Sequence, residues 1–220
     1  MEHMLWDKLT STLTTLAVKF FVFGIIFAEK LSKGDFYLSN VHKWLLGSIG
    51  SAFLYIAPKY QTMMHPTVIS NFYSPEGNNF EGEFAFLGTK DYSSMISARE
   101  AIYFRLNLTD QAVWEYNNGL CDQVEDLFTS RWNTTLPQPK NMTASMTNVQ
   151  IPCNPGFPGC YNWTINAVVN SLVAQNVWTV VFERDSLRYL RISCQIYNYF
   201  QEYQQFASIL ESIIGITPLN

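Results

Sequence analysis

The sequence predicts a mainly α protein, with an N-terminal transmembrane helix and a second, shorter apolar segment as a further candidate span. A helical body follows, with an extended arm and a long Pro/Gly-rich disulfide loop. Three observations lead to this fold class. Residues 9–28 carry a single charge, helical apolar spacing recurs after residue 97, and prolines cluster between residues 135 and 163. We divide the chain into a membrane anchor region, residues 1–58, and an extramembrane body, residues 59–220.

The composition favours a surface that is partly covered by lipid or protein. Charged residues make up 15% of the 220 residues, and aromatic residues also reach 15%. An average soluble domain carries about 25% charged residues. The net charge of −4 offers no concentrated basic surface for phosphate contacts, so we exclude nucleic-acid binding.

The anchor is predicted from residues 9–28, whose length matches the roughly 20 residues that a helix needs to cross a bilayer. Lys19 costs about 2.5–3.5 kcal/mol near mid-span, and the apolar residues 20–28 offset that cost. A buried or interfacial amphipathic helix is the alternative. A cleavable signal fits less well, because Glu2 and Asp7 stand where a basic region is expected.

Residues 44–57 form the second apolar segment, which is closed by Pro58. Fourteen residues are short for a span, so an ordinary core helix is an equal alternative. The loop between the two segments has a weak excess of lysine, which favours a cytoplasmic or matrix location for that loop.

The body begins with an arm, residues 61–92, in which proline and glycine interrupt helical periodicity. Helices are predicted to start at Ser97 and at Thr109, with a further helical stretch from residue 120 to about 130. Residues 164–182 are uncharged and predict a buried helix, although β-branched residues near 177–182 leave a strand open. The apolar pattern of residues 187–214 predicts a C-terminal helix.

Two cysteines, Cys153 and Cys160, flank a segment with two Pro-Gly pairs. Such pairs turn the chain sharply, so we predict a disulfide between them. Two free thiols are the alternative. Cys121 and Cys194 would then remain for a link between helices.

Sequence patterns for catalysis are absent. The three histidines lie far apart, and neither phosphate-binding glycine motifs nor a nucleophile elbow occurs. Asp122, Glu125 and Asp126 share one helical face and could hold a cation, although a solvated acidic face is the commoner arrangement. Arg184, Arg188 and Arg191 recur at helical spacing and are candidate contacts for lipid headgroups.

These features together predict a non-catalytic accessory or structural subunit of a multi-protein membrane complex, such as a respiratory-chain or ATP-synthase type assembly of the mitochondrial inner membrane. The expected partners are other membrane-protein subunits and membrane lipids, without a cofactor or a small-molecule substrate. The alternative is a cell-surface or viral envelope glycoprotein with a ligand-binding body. Four N-x-[ST] sequons support it, at Asn107, Asn133, Asn141 and Asn162.

Overall fold

The structure is a computed structural model, and it describes residues 34–153 and 160–217. The protein is mixed α/β with two antiparallel sheets, so the predicted mainly α fold class is wrong. The chain forms two compact units, Met1–Asn107 and Leu108–Asn220. The anchor region predicted for residues 1–58 lies in large part outside the described residues, and that division of the chain stays a prediction.

The first unit contains a two-stranded sheet. Strand β1, Phe36–Asn40, pairs antiparallel with β2, Ala52–Ile56, and the short helix α1, Val41–Trp44, lies in their connection. Phe36 stands opposite Ile56 in the register.

Strand β2 falls inside residues 44–57, where the sequence predicted an apolar helix, so that prediction is wrong. Leu46 and Gly50 adopt positive φ angles of 62° and 98°, which a helix does not tolerate. The aromatic and β-branched residues that follow are well suited to a strand.

The rest of the first unit is helical or irregular. A 3₁₀ helix spans Pro58–Met63, helix α2 spans Phe80–Ala85, and helix α3 spans Ser93–Leu108. The helix predicted to start at Ser97 is present but begins four residues earlier, at Ser93, and the predicted arm is interrupted by α2. A small core joins β2, α1 and α3; its members are Val41, Leu45, Phe53, Ala98, Ala101 and Ile102.

The second unit has three helices and a three-stranded sheet. The helices are α4, Asp110–Trp132, α5, Ile165–Val173, and α6, Phe200–Ile214. The strands are β3, Met146–Gln150, β4, Val180–Arg184, and β5, Leu187–Ser193, arranged in the order β3-β5-β4. A 3₁₀ turn, Lys140–Met142, precedes β3.

Two predictions in this unit were wrong in part. The stretch 187–214 is not one helix, because β5 takes its first residues and alternates exposed Arg191 with buried Leu190 and Ile192. The two helices predicted after Thr109 are one helix of 23 residues that continues through Gly119. The strand left open near residues 177–182 is present as β4.

Packing in the second unit centres on α4. Val124 and Phe128 are fully buried, and the Phe128 ring lies 4.6 Å from the Trp132 ring and 5.8 Å from the Phe206 ring. Among the helices of residues 34–153 and 160–217, none is long and apolar enough to cross a membrane.

Candidate functional site

The connection between β1 and β2 holds Lys43 at a fixed position in the first unit. Val41 and Leu45, the residues two before and two after it, are buried at 1% and 6% exposure. The amide of Val41 donates to the carbonyl of Ser51 at 3.1 Å, which ties α1 to the start of β2. Because both neighbours point inward, the Lys43 side chain lies on the exposed side of α1.

The residues on either side of Lys43 are also held. His42 Nδ1 donates to the carbonyl of Ser51 at 2.8 Å, since a carbonyl can only accept. Arg105 Nη1 donates to the carbonyl of Trp44 at 3.1 Å. The backbone that carries Lys43 is therefore restrained by bonds on both of its sides.

The environment of Lys43 differs from that of the other described lysines. Lys59 Nζ lies 2.7 Å from Asp35, and Lys140 Nζ lies 2.7 Å from Asp126. The hydrogen bond to each carboxylate raises the pKa of its lysine. Lys90 Nζ stands over the Tyr92 ring, 5.1 Å from its centroid. Lys43 has no acidic partner within the residues that the structure describes.

The first unit also contains a buried carboxylate, Glu83, that is paired with His65. Glu83 on α2 is 1% exposed, and its Oε2 lies 2.7 Å from His65 Nδ1. The amide of Ser74 donates to Glu83 Oε1 at 3.0 Å. The hydrogen bond from His65 is the main cause that lowers the pKa of Glu83, and it outweighs the effect of burial. Glu83 therefore holds His65 and Ser74, two residues of the predicted arm, against α2. These bonds restrain a segment that has little regular secondary structure.

The three arginines predicted to contact lipid headgroups do not act as one group. Arg184 lies 3.4 Å from Asp185, and Arg188 Nε donates to Glu183 at 3.0 Å. Both are on or next to the β4–β5 turn, so the helical spacing on which the prediction rested does not exist. Arg191 is exposed on β5 and has no ion pair within the described ranges.

Arg188 has a structural position instead. Its guanidinium stacks 4.6 Å from the Tyr161 ring and 4.4 Å from the Trp163 ring, and it donates to the Trp163 carbonyl. The Tyr161 hydroxyl accepts from the amide of Arg188 and donates to the Ile151 carbonyl. These contacts fix the chain around residue 161 against the sheet.

The acidic trio of α4 is divided between core and surface. Glu125 is 1% exposed, whereas Asp122 and Asp126 are exposed and Asp126 binds Lys140. Within the described part of the chain no group of His, Cys, Asp or Glu side chains is arranged to hold a metal ion.

The two cysteines of the predicted disulfide follow β3, at positions 153 and 160. The Cα atoms of Cys153 and Cys160 are 4.8 Å apart, a separation that permits a disulfide. Cys121 and Cys194 are both buried in the core of the second unit. The disulfide between Cys153 and Cys160 stays a prediction.

Comparison with curated proteins finds similar sequences among enzymes. The chain is 26% identical over 205 residues to a probable L-cysteine desulfhydrase, chloroplastic, of Arabidopsis thaliana, which covers 82% of this chain and 40% of that protein. It is also 26% identical over 202 residues to an isopenicillin N epimerase of Streptomyces clavuligerus, covering 82% of this chain and 48% of the epimerase. The chain thus spans less than half the length of these relatives. No protein-family model matches it.

Solved structures show the same relationship at the level of the fold. The cysteine desulfurase CsdA of Escherichia coli superposes with a TM-score of 0.60 at 16% identity, over 86% of this chain and 48% of CsdA. The C-DES protein, described as a cystine C-S lyase, superposes with a TM-score of 0.58 at 18% identity, over 84% of this chain and 48% of C-DES. One C-DES structure is a variant with a lysine replaced by alanine and glycine covalently linked to the PLP cofactor. The chain has the fold of part of these enzymes.

These comparisons correct the functional predictions. A non-catalytic subunit of a membrane complex is wrong, because the curated relatives over most of this chain are named as enzymes. The expected partners, membrane subunits and lipids, are wrong for the same reason, as is the expectation that no small-molecule substrate is involved. The predicted locations, in the mitochondrial inner membrane, at the cell surface or in a viral envelope, are also contradicted, because a curated relative over most of this chain is named as chloroplastic.

Sequence reasoning missed Lys43. It counted this lysine only as one positive charge in the loop between two expected helices. A usable signal was present, since short runs of aromatic and aliphatic residues, at 36–38 and 52–56, lie on either side of Gly47 and Gly50, as is typical of two strands joined by a turn.

Proposed function

We propose that this chain contributes to a pyridoxal phosphate (PLP) dependent enzyme that acts on L-cysteine or a closely related sulfur amino acid. We further propose that Lys43 binds the cofactor. Relatives named L-cysteine desulfhydrase and a fold neighbour with bound PLP support this reaction class. The match covers only 40% of the Arabidopsis relative. The activity of that longer protein is therefore a proposal for this chain.

The observation that carries the assignment is that none of the described carboxylates pairs with Lys43. A lysine attacks the aldehyde of PLP only as a neutral amine. A carboxylate at hydrogen-bond distance stabilises the ammonium form and makes the amine a poorer nucleophile. Lys59 and Lys140 are both held in this way by their acids. Among the described lysines, Lys43 is the one whose amine has neither a carboxylate nor an aromatic ring as a partner.

The residues around Lys43 fit the attachment of a cofactor in one respect. The exposed Lys43 side chain projects from a backbone that Ser51 and Arg105 hold in place, so its point of attachment is fixed before a ligand arrives. PLP sites commonly also supply an Asp or Arg partner for the pyridine nitrogen. In the described part of the first unit Asp35 is engaged by Lys59, and Asp91 accepts from the amide of Ser93. The proposal therefore covers the lysine alone.

PLP, Lys43 and His42 would contribute differently to the proposed reaction. Bound PLP supplies an electron sink for bonds at the amino-acid carbon. Lys43 would hold the cofactor, and its amine would serve as a base once the substrate has displaced it. His42 Nδ1 donates to the Ser51 carbonyl, so Nε2 is the ring nitrogen left to face a ligand. The buried side chains of α1 keep these groups on its outer side.

Substitution of Lys43 tests the proposal. In the full chain, Lys43→Ala should abolish the visible absorbance of lysine-linked PLP and lower sulfide release from L-cysteine by about 100-fold or more. Lys140→Ala is the matched control, because Lys140 is also exposed but is paired with Asp126. We expect it to keep both signals. Equal cofactor binding and turnover in the two variants would refute the role of Lys43.

A further inference from the structure

Two buried cysteines, Cys121 and Cys194, lie against each other in the core of the second unit. Cys121 is on α4, and Cys194 follows directly after β5. They are 1% and 0% exposed, and both belong to the same apolar core cluster. Each carries a free thiol in the structure, and a hydrogen bond joins the two thiols.

Other hydrogen bonds hold the two segments together. Asn117, in the turn of α4 before the first of these cysteines, donates from Nδ2 to Gln195 Oε1 at 3.5 Å. The Cys194 amide donates to the Ser145 carbonyl at 2.8 Å. Ser145 Oγ in turn donates to Asn118 Oδ1, on α4, at 3.3 Å. These bonds place α4 beside the end of β5 without any contribution from the thiols.

Mutual contact distinguishes this pair from an ordinary buried cysteine, which usually serves as a small apolar residue. Here two thiols meet that are 73 residues apart in sequence. The hydrogen bond from Cys121 lowers the pKa of Cys194, because it stabilises the thiolate. The same bond, together with burial, raises the pKa of Cys121. The fold thus keeps a thiol beside a stabilised thiolate, which is the pairing that thiol–disulfide exchange needs.

We propose that Cys121 and Cys194 form a second disulfide, which joins α4 to the end of β5. It forms by exchange with a small-molecule disulfide, oxidised glutathione. One cysteine thiolate attacks the glutathione disulfide and releases one glutathione thiolate, and the other cysteine thiolate then attacks the mixed disulfide and releases the second. The two protons lost by the cysteines pass to the released glutathione thiolates. Two cysteine thiols are thereby oxidised to one disulfide, and one glutathione disulfide is reduced to two thiols.

Burial determines when this exchange takes place. Neither sulfur is open to solvent in the folded unit, so glutathione reaches them while the unit folds. The closed core then protects the bond from reductants. Because the bond closes a far longer loop than one between Cys153 and Cys160, it restricts the unfolded chain more. Nothing in this bond depends on the chemistry proposed for Lys43.

Peptide mapping of the full chain tests the proposal. The reduced chain is refolded with reduced and oxidised glutathione, unfolded in urea with an alkylating reagent and digested without reductant. We expect the peptides that carry Cys121 and Cys194 to be linked to each other. Alkylation of either cysteine, or a bond from either one to any other thiol, would overturn the proposal.

A second test measures the effect of the bond on stability. The Cys153→Ser, Cys160→Ser chain retains Cys121 and Cys194 as its only cysteines, since the protein has four. Oxidation should raise the urea midpoint of this chain by about 1 M or more compared with the same chain in dithiothreitol. Adding Cys121→Ala provides the matched control, and its midpoint should be the same in both solutions. Equal midpoints for the oxidised and reduced Cys153→Ser, Cys160→Ser chain would also contradict a bond between Cys121 and Cys194.

Discussion

Replacing Glu211 with glutamine should destabilise the second unit strongly, because this carboxylate joins α6 to the end of α4. Glu211 is 6% exposed. Its two oxygens accept from Arg131 Nε and Nη2, each at 2.6 Å, and Oε1 also accepts from Trp132 Nε1 at 2.8 Å. Burial alone would raise the pKa of Glu211, but the bonds from Arg131 and Trp132 prevail and lower it.

The size of the effect follows from these contacts. Breaking a buried ion pair by removing one partner costs about 3–5 kcal/mol. The Arg131 side chain keeps 27% of its exposure and can hydrate in the variant. A hydrogen bond to a charged group contributes about 1.5–3 kcal/mol. We therefore expect Glu211→Gln to lower the free energy of unfolding by about 2–3 kcal/mol at neutral pH.

Urea unfolding, followed by circular dichroism, measures the change. Glu115→Gln is the matched control, since Glu115 lies on the exposed side of α4 and its change should stay within about 0.5 kcal/mol. The folded-state pKa of Glu211 is lowered, so its stabilisation is present above the unfolded carboxyl pKa of about 4.3. That stabilisation is lost as pH falls through the folded-state pKa. The difference between wild type and Glu211→Gln should therefore shrink in acid. A Glu211→Gln variant as stable as Glu115→Gln at neutral pH would refute this reasoning.

Two further predictions concern the arm and the disulfide loop. His65→Gln should lower the hydrogen-exchange protection factor of the Ser74 amide, because Glu83 is then held less firmly. Acid should lower the same protection factor in the wild type, since the lowered pKa of Glu83 means that the pairing is lost as pH falls through it. Unchanged exchange at Ser74 would contradict this role. Cys153→Ser should lower the free energy of unfolding by about 2–3 kcal/mol under oxidising conditions and by nothing in reductant, as the loss of a short closed loop implies. Equal stability with and without reductant in the wild type would show that the bond to Cys160 is absent.

The sequence predicted helices best where local signals were strong. Ser97 and Thr109 mark the α3 region and the start of α4, and the Thr109 side chain accepts from the Ala112 amide as expected of a helix cap. The same reasoning failed at residues 187–193, where the apolar residues fit a helix but pair with β3 and β4 as the central strand. Strand pairing depends on partners distant in sequence, which a local pattern does not contain.

The candidate site was hidden for a different reason. Residues 44–57 are apolar enough to resemble a helix, and this interpretation placed Lys43 in a membrane loop. The positive φ angles of Leu46 and Gly50 instead turn the chain back, and they bring Ser51 beside His42. A single lysine has no motif of its own, so the role proposed for Lys43 could be argued only once the partners of the other lysines were known.

We propose Lys43 as the residue that binds PLP. The most direct test incubates the full chain with PLP, reduces the linkage with borohydride and maps the modified peptide by mass spectrometry. We expect one stoichiometric pyridoxyl group on Lys43, with Lys59, Lys90 and Lys140 unmodified. Preferential labelling of any other lysine, including those at 8, 19, 30 and 33, would contradict it, as would a chain that takes up no PLP.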